Sequence, residues 1–257
     1  MSQPRALTFG SVAERYERYR PGYPEQVADH VLAGLGEPGG LTALEVGAGT
    51  GKATRLIAGR GVRVHAVEPD HEMCRVLKAA TEGLPVSITQ STFEALAPAS
   101  TVDIVYAAAA WHWTEPATRW IRAAHWLRPG GVVAALGSPV NVADDLLAKQ
   151  VEDIVEAHVG DVSVAGAEDD AAGLRWPANE LTASPYFTEV QEHEVTLHQP
   201  MASEDFVGLI STVSSYLLLG EDAQQAMLDE LRAALPEQVE VRRDHTVHRA
   251  IRNAVPV

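Results

Sequence analysis

The stretch that decides the fold is 44-LEVGAGTGKAT-54, a glycine-rich turn that follows an apolar run. Its Gly51-Lys52 pair resembles the end of a phosphate-binding loop, which reads G-x-x-x-x-G-K-[ST]. That loop requires a glycine at position 46 and a hydroxyl at position 53, where this chain has Val46 and Ala53. Because alanine has no oxygen with which to bind magnesium, the sequence does not predict a nucleoside triphosphate site here.

A dinucleotide-binding turn, G-x-G-x-x-G, fits no better. Counted from Gly47 and Gly49, it requires a glycine at position 52, whereas the third glycine is Gly51. The pattern is instead an acid, Glu45, two residues before three alternating glycines. A second acid, Glu68, ends the next apolar run, and a carboxylate there can accept two hydrogen bonds from a ribose diol. A tight strand-to-helix turn that binds no ligand is the alternative.

Strand and helix signals alternate on both sides of the turn. Strands are predicted at 41–46, 62–67, 86–90, 102–107, 132–136, 189–199 and 239–252. Helices at 52–60, 70–82 and 115–127 form three of the four connections between the first five strands, which predicts a mostly parallel α/β sheet with helices on both faces. The last two strands are expected to form an antiparallel edge, which gives seven strands in all. Such sheets bind ligands at the carboxyl ends of their strands.

We predict a single domain, 1–257, built around this sheet. Its expected parts are an N-terminal helical cap (1–36), a ligand-binding core (41–138), an insertion (141–185) and a C-terminal part that completes the sheet (186–257). The insertion begins with a predicted helix at 142–159 and continues into a loop-like acidic stretch at 160–177, so we expect it to cover the site as a lid. Further helices are predicted at 203–216 and 221–234.

The composition disfavours several classes of partner. The formal net charge is −15, whereas neutralising nucleic-acid phosphates requires a basic surface, so no nucleic-acid partner is predicted. No apolar run reaches the roughly 20 residues that cross a bilayer, and the N-terminus lacks an apolar signal-peptide segment, so we expect no membrane association and a cytoplasmic location. Cys74 is the single cysteine, and the histidines and acids have no metal-ligand spacing, so no metal site is predicted. The oligomeric state is left open.

Four segments together resemble the class I S-adenosylmethionine-dependent methyltransferases. They are 44-LEVGAGTG-51, 65-HAVEPDHEM-73, 102-VDIVYAAAAWHW-113 and 127-LRPGGVV-133. The N-terminal 16-YERYRPGYP-24 is similar to the small-molecule branch of that family, with a domain of the type 11 kind. The resemblance covers residues 8 to about 138 and implies a Rossmann-like fold. It also implies S-adenosyl-L-methionine as the cofactor, S-adenosyl-L-homocysteine as its product and a small-molecule acceptor.

The resemblance implies cofactor-binding roles for the turn itself. The backbone from Gly47 through Ala48 and Gly49 to Gly51 approaches the amino-acid and sugar parts of the cofactor. Glu45 orients this turn or the methionine ammonium.

Further cofactor contacts follow from the same resemblance. Glu68 holds the ribose, and Pro69 packs near the adenine. Thr92 and Phe93 match the position that flanks the adenine, where Phe93 suggests an apolar wall. Ala108, after the fourth strand, offers a backbone carbonyl.

Two N-terminal residues, Tyr16 and Arg20, match positions that reach the cofactor's carboxylate. An arginine there can make a two-pronged, charge-assisted contact with a carboxylate. A plain surface charge is the alternative for Arg20.

The acceptor side is predicted at 111-WHWTEP-116, directly after the fourth strand. His112 is a candidate general base, because an imidazole exchanges a proton near neutral pH. Trp111 and Trp113 are candidates for contacting an aromatic or apolar substrate or the cationic sulfonium. The alternative is that this segment only shapes the pocket or caps the next helix.

The leading functional hypothesis is methyl transfer to a small molecule, with O-methylation of a hydroxyl or carboxylate preferred. A protein that binds S-adenosylmethionine without transferring its methyl group is the second hypothesis. A nicotinamide-dependent oxidoreductase is the third.

Overall fold

The computed structural model describes residues 9–97, 100–160 and 176–254. The strands in this part of the chain are β1 (Thr42–Val46), β2 (Arg63–Glu68), β3 (Val86–Gln90), β4 (Val102–Ala108), β5 (Leu127–Gly137), β6 (Val140–Val142), β7 (Phe187–Ala202) and β8 (Gln238–Arg252). The α-helices are α1 (Ala13–Tyr19), α2 (Glu25–Leu32), α3 (Lys52–Gly59), α4 (His71–Ala80), α5 (Arg119–Trp126), α6 (Asp145–Val159), α7 (Ala178–Ala183), α8 (Ser203–Ile210), α9 (Ser214–Leu217) and α10 (Glu221–Ala234).

The strands form one sheet in the order β3-β2-β1-β4-β5-β8-β6, with β7 also paired to β8. Neighbours from β3 to β5 are parallel, and β8 runs antiparallel to β5. The predicted mostly parallel α/β sheet with an antiparallel final strand is therefore confirmed. The predicted number of seven strands is wrong, because β6 adds an eighth within the described residues. With only three residues, β6 is too short to show a periodic pattern in the sequence.

The chain divides into two compact units. The single domain that the sequence predicts stays a prediction. Within the described residues, the core unit comprises 22–97, 100–138, 176–195 and 245–254, and the accessory unit comprises 9–21, 139–160 and 196–244. The predicted insertion and C-terminal part each contribute residues to both units.

The core unit buries both faces of its parallel strands. Successive residues of β1 alternate, so that Ala43 belongs to one apolar cluster and Leu44 to the other. The first cluster includes Val27 of α2 and Ile57 of α3, and the second includes Trp120 of α5. Near-continuous apolar runs in these strands are what burial on both faces requires.

The strand order reverses between β1 and β4, where β2 and β3 lie to one side and β4 to the other. Ligands of open α/β sheets bind at the carboxyl ends of the strands beside such a reversal. In this chain those ends are Val46, which leads into the glycine turn, and Ala108. The topology therefore selects the same region as the glycine pattern.

The accessory unit has a core of its own, formed by β6, part of β8 and the helices α6, α8 and α10. Its largest buried side chains include Phe206, Met227 and Leu231. The helix predicted from residue 142 begins instead at Asp145, because the side chain of Asp144 accepts the backbone N–H of Leu147 at 2.8 Å and caps the helix.

The expected lid lies largely outside the described residues, which omit 161–175. Of the flanking helices, α6 belongs to the accessory unit and α7 to the core unit. The covering role of 141–185 stays a prediction.

Candidate active site

The glycine turn is held by the end of β2. The backbone N–H groups of Gly47 and Ala48 both donate to the carbonyl oxygen of Val67, at 2.9 and 3.0 Å. The next N–H in line, that of Gly49, donates to Oε2 of Glu68 at 2.8 Å. All three alternating glycines have left-handed backbone angles, with φ of 66° at Gly47, 57° at Gly49 and 90° at Gly51. Side chains with a Cβ rarely adopt these angles, so the turn requires glycine for its conformation.

The three glycines face different surroundings. A Cβ added at Gly47 would lie 2.6 Å from Cβ of Ala110, and one added at Gly51 would lie 2.6 Å from Cδ1 of Leu77. A Cβ added at Gly49 would meet no atom of the described residues within 4 Å. The outer glycines thus let the protein pack on itself, while the middle one borders open space.

Glu68 lies at the end of β2 with only 6% of its surface exposed. Its second oxygen, Oε1, accepts the backbone N–H of Asp70 at 3.0 Å. Burial raises the pKa of the Glu68 carboxyl, the two backbone N–H donors oppose this, and the charge of Asp70 adds to it. Each carboxylate oxygen has two lone pairs, so one backbone donor on each leaves acceptor capacity for a diol.

Glu45 is fully buried beneath the turn. Its Oε2 accepts two hydrogen bonds, from the hydroxyl of Thr54 in α3 at 2.5 Å and from that of Tyr106 in β4 at 2.9 Å. Burial raises the pKa of this carboxyl to about 8, although both hydroxyl donors lower it. The geometry agrees with a role in orienting the turn, since Glu45 joins β1 to α3. The side chain has no exposed surface, and its predicted contact with a ligand ammonium stays a prediction.

The segment predicted to flank the adenine follows β3. Thr92 is exposed, and its hydroxyl accepts the backbone N–H of Ala95 at 3.3 Å. Phe93 is only 2% exposed, and its ring meets that of Trp111 edge-on with centroids 5.8 Å apart. The ring is therefore part of the core, and its predicted role as an apolar wall for the adenine stays a prediction. Pro69, by contrast, is half-buried.

The acceptor-side segment is a short 3-10 helix, Trp111–Trp113. Trp111 is 2% exposed, its indole N–H donates to the carbonyl of Ala134 at 3.0 Å, and its ring packs on Trp120 with centroids 5.0 Å apart. A ring so deeply buried anchors the segment, and the substrate-binding role predicted for Trp111 stays a prediction.

His112 and Trp113 are exposed, with ring centroids 4.5 Å apart. Partial desolvation by the surrounding atoms lowers the pKa of His112, and the positive charge of Arg119 lowers it further. His112 is therefore neutral at pH 7, which is the form that accepts a proton. The structure gives this predicted base a suitable protonation state and leaves its contact with an acceptor as a prediction.

Arg119 is a neighbouring residue that the sequence did not single out. It is 4% exposed, and its Nη2 donates to the carbonyl of Thr114 at 3.3 Å, directly after the acceptor-side helix. Its Nη1 lies 4.0 Å from Oε2 of Glu180 in α7, and that oxygen also accepts the indole N–H of Trp120 at 2.5 Å. These contacts join positions about 60 residues apart, and no local pattern in the sequence marks them.

Tyr16 and Arg20 belong to the accessory unit. The guanidinium of Arg20 lies over the ring of Tyr16 at 5.4 Å, and its Nε donates to the hydroxyl of the buried Thr212 at 2.9 Å. The predicted contact of both residues with a cofactor carboxylate stays a prediction.

Residues 44–135 match the family model described as a methyltransferase domain. Over 232 residues, 33% are identical to a protein of Mycobacterium tuberculosis named as an uncharacterised methyltransferase, and the match covers 90% of this chain and 86% of the relative. The chain belongs to the class I S-adenosylmethionine-dependent methyltransferases.

Two solved structures share the fold of this methyltransferase. A candidate type II methyltransferase from Anaeromyxobacter dehalogenans is 24% identical and has a TM-score of 0.59. The superposition covers 91% of this chain and 98% of that protein's chain. Phosphoethanolamine N-methyltransferase 2 of Haemonchus contortus is 15% identical and has a TM-score of 0.54. The superposition covers 95% of this chain and 57% of that enzyme's chain. At these identities the likeness establishes the fold and not the substrate.

Two further observations concern membranes and metals. None of the helices in 9–97, 100–160 and 176–254 combines the length and the apolarity that crossing a bilayer requires. In the same part of the methyltransferase, no three His, Cys, Asp or Glu side chains are grouped so that they could hold a metal ion.

The packing of the turn predicts the effect of Gly47→Ala. The new Cβ must adopt a left-handed conformation and meets Ala110, so we expect a loss of about 2–5 kcal/mol in the free energy of unfolding. Gly49→Ala has the conformational cost alone, about 1–2 kcal/mol. Urea unfolding of both variants measures the difference.

The double variant Gly47→Ala/Ala110→Gly is the control for the steric part. Removing the methyl group of Ala110 relieves the close contact, so this variant should recover part of the stability lost in Gly47→Ala. Equal losses in Gly47→Ala and Gly49→Ala, with no recovery in the double variant, would contradict the packing described.

The burial of Glu45 predicts an unusual pH dependence of stability. Its folded-state pKa, about 8, exceeds the ordinary value of 4.5. The unfolded chain therefore releases this proton first as the pH rises, and the free energy of unfolding falls across that window. Relative to Glu45→Gln, the wild type should lose roughly 2–5 kcal/mol of stability between pH 4.5 and 8.

Urea unfolding from pH 5 to 9 measures this dependence. The exposed Glu72 supplies a matched control, because Glu72→Gln should keep the pH dependence of the wild type. Parallel curves for wild type and Glu45→Gln would show that Glu45 is ionised at neutral pH.

Proposed function

We propose that this methyltransferase binds S-adenosylmethionine against the glycine turn and transfers its methyl group to a small-molecule acceptor, with an oxygen acceptor favoured. The observation that carries the proposal is the open space at Gly49, where an added Cβ would meet no atom of the described residues within 4 Å. The same residue donates its N–H to Glu68, so open space and a diol-accepting carboxylate adjoin each other.

The residues around this space fit the proposed cofactor. Glu68 accepts the ribose hydroxyls with the lone pairs that its two backbone donors leave. Glu45 holds the turn in place from below without touching the ligand. The Haemonchus contortus enzyme, which shares the fold, was crystallised with S-adenosylhomocysteine, and this supports the choice of cofactor.

When bound, S-adenosylmethionine supplies an electrophilic methyl group on a sulfonium. The protein's part is to align the acceptor, exclude water and remove a proton where the acceptor carries one. We assign the last task to His112, because its lowered pKa keeps the imidazole neutral. Trp113, which lies beside it and is 37% exposed, supplies an aromatic surface for the acceptor.

The class of acceptor follows from charge and from the exposed side chains. A formal net charge of −15 repels nucleic-acid phosphates, which supports a small molecule over RNA or DNA. The exposed acceptor-side rings are an imidazole and an indole, which suit an apolar or aromatic acceptor with a hydroxyl or carboxyl group.

Cofactor binding and turnover test the proposal together. We expect calorimetry to show binding of S-adenosylmethionine, and we expect S-adenosylhomocysteine to be released in the presence of a panel of small hydroxy and carboxylic acids. Glu68→Ala should weaken cofactor binding about tenfold or more, since it removes charge-assisted hydrogen bonds. Glu72→Ala, an exposed acid on α4, is the matched control and should bind as the wild type does.

Other outcomes of the same assay contradict the proposal. Binding of a nicotinamide cofactor, together with no binding of S-adenosylmethionine, contradicts the whole proposal. Turnover with RNA, together with no turnover on the small-molecule panel, rejects the acceptor and keeps the cofactor.

His112→Ala tests the assigned base. With saturating substrates, kcat should fall by roughly 10²- to 10⁴-fold, while affinity for the cofactor stays within a few-fold of wild type. The wild-type rate should fall only below the ordinary pKa of histidine, because the pKa of His112 is lowered and the neutral form persists to lower pH. His125→Ala, an exposed histidine on α5, is the control. Turnover within a few-fold of wild type would falsify the assignment.

A further inference from the structure

One arginine gathers the carbonyl groups of the segment that follows β3. Nη2 of Arg122, in α5, donates to the carbonyl oxygens of Phe93 at 2.9 Å, Glu94 at 2.6 Å and Leu96 at 2.7 Å. The guanidinium also lies over the ring of Phe93, 5.5 Å from its centroid. Three carbonyls and a ring from one short stretch therefore converge on a single side chain.

The chemistry of this contact favours order in the segment. An Nη atom carries two hydrogens, so three carbonyl acceptors must share them, and hydrogen bonds from a charged donor are stronger than neutral ones. The cation–π contact with Phe93 adds to them. Lysine can supply a charge and donors but not the planar guanidinium, whose donors have a fixed geometry.

The same contact sets the direction of the backbone. In a trans peptide, the carbonyl of one residue and the N–H of the next point in opposite directions. With the Phe93 carbonyl turned toward Arg122, the N–H of Glu94 is turned away from it. Arg122 thus determines which way the donors of this stretch face.

A second contact ties the stretch to the acceptor side. The side chain of Glu94 accepts the backbone N–H of Glu115 at 3.0 Å, two residues after the acceptor-side helix. Phe93 in turn contacts Trp111, which anchors that helix. The segment that Arg122 holds therefore contacts the acceptor-side helix and the residue two positions after it.

We propose that Arg122 is a positioning residue for the cofactor, which fixes residues 92–96 so that the backbone N–H of Glu94 and the side chain of Thr92 meet the adenine. The inference rests on the proposed function, because it assumes that S-adenosylmethionine binds with its adenine beside this segment. Arg122 itself touches neither cofactor nor substrate.

Arg122→Met tests the proposal, since methionine keeps the aliphatic stem and loses every donor. We expect faster hydrogen exchange of amides 93–97 in the ligand-free protein, and affinity for S-adenosylhomocysteine reduced about tenfold. The preference for S-adenosylhomocysteine over its inosine analogue should also diminish, which a general loss of stability does not produce. At saturating cofactor, kcat should stay within about threefold.

Two further variants complete the design. Arg128→Met is the matched control, because Arg128 pairs with Asp103 at the start of β4, at the opposite end of the strands, and should leave exchange and affinity unchanged. Arg122→Lys should restore part of the affinity, and it keeps the test informative if the methionine variant fails to fold.

The outcomes separate the two proposals. Wild-type protein that does not bind S-adenosylhomocysteine contradicts the proposed function, and the role of Arg122 is overturned with it. Wild-type binding, with unchanged affinity and base preference in a folded Arg122 variant, overturns the role of Arg122 alone.

Discussion

The site depends on one constraint: the last residues of β2 must accept three successive backbone N–H groups of the glycine turn. Val67 takes two of them through its carbonyl, and Glu68 takes the third through its side chain. Without these acceptors, the backbone N–H of the buried Ala48 would lack a partner, at a cost of about 1–3 kcal/mol. Because β1 and β2 are adjacent and parallel, the end of one strand lies beside the turn that leaves the other. The same carboxylate that stabilises the turn is thereby placed next to the open space at Gly49.

Features that are encoded locally could be predicted from the sequence. The alternation of strands and helices follows from hydrophobic periodicity, and the positions of Gly47, Gly49 and Gly51 follow from backbone angles that other residues avoid. Glu68 could be identified because it ends a strand that must lie beside the turn. The burial of Glu45 and Phe93 could not be predicted, since it depends on partners such as Tyr106 and Trp111 that are distant in sequence. The sequence pattern shows that an acid is present at position 45. It does not show that two hydroxyl groups donate hydrogen bonds to that carboxylate.

The division of the chain into two units is a second property that the sequence conceals. Both β7 and β8 are continuous strands whose patterns give no sign that each contributes to two units. The accessory unit is assembled from three separate stretches, and its core forms only when α6 packs with α8 and α10. Each of these helices alone shows an apolar face without showing which surface covers it. For the same reason, the contact of Arg20 with Thr212 could not be read from the N-terminal motif.

In the acceptor-side segment, one residue is buried and anchors the helix, while its two neighbours are exposed. The ring of Trp111 is buried in the core, and its indole N–H donates to β5. These contacts fix the position of the first residue of the 3-10 helix. Because the start of the helix is fixed, His112 and Trp113 stay exposed on its surface. A helix of three residues has too few hydrogen bonds of its own to hold them there. Phe93 and Arg122 extend the same anchoring to the segment after β3. We therefore expect acceptor preference to change with residues 112 and 113, and substitutions at 93 and 111 to act on both sides of the site together.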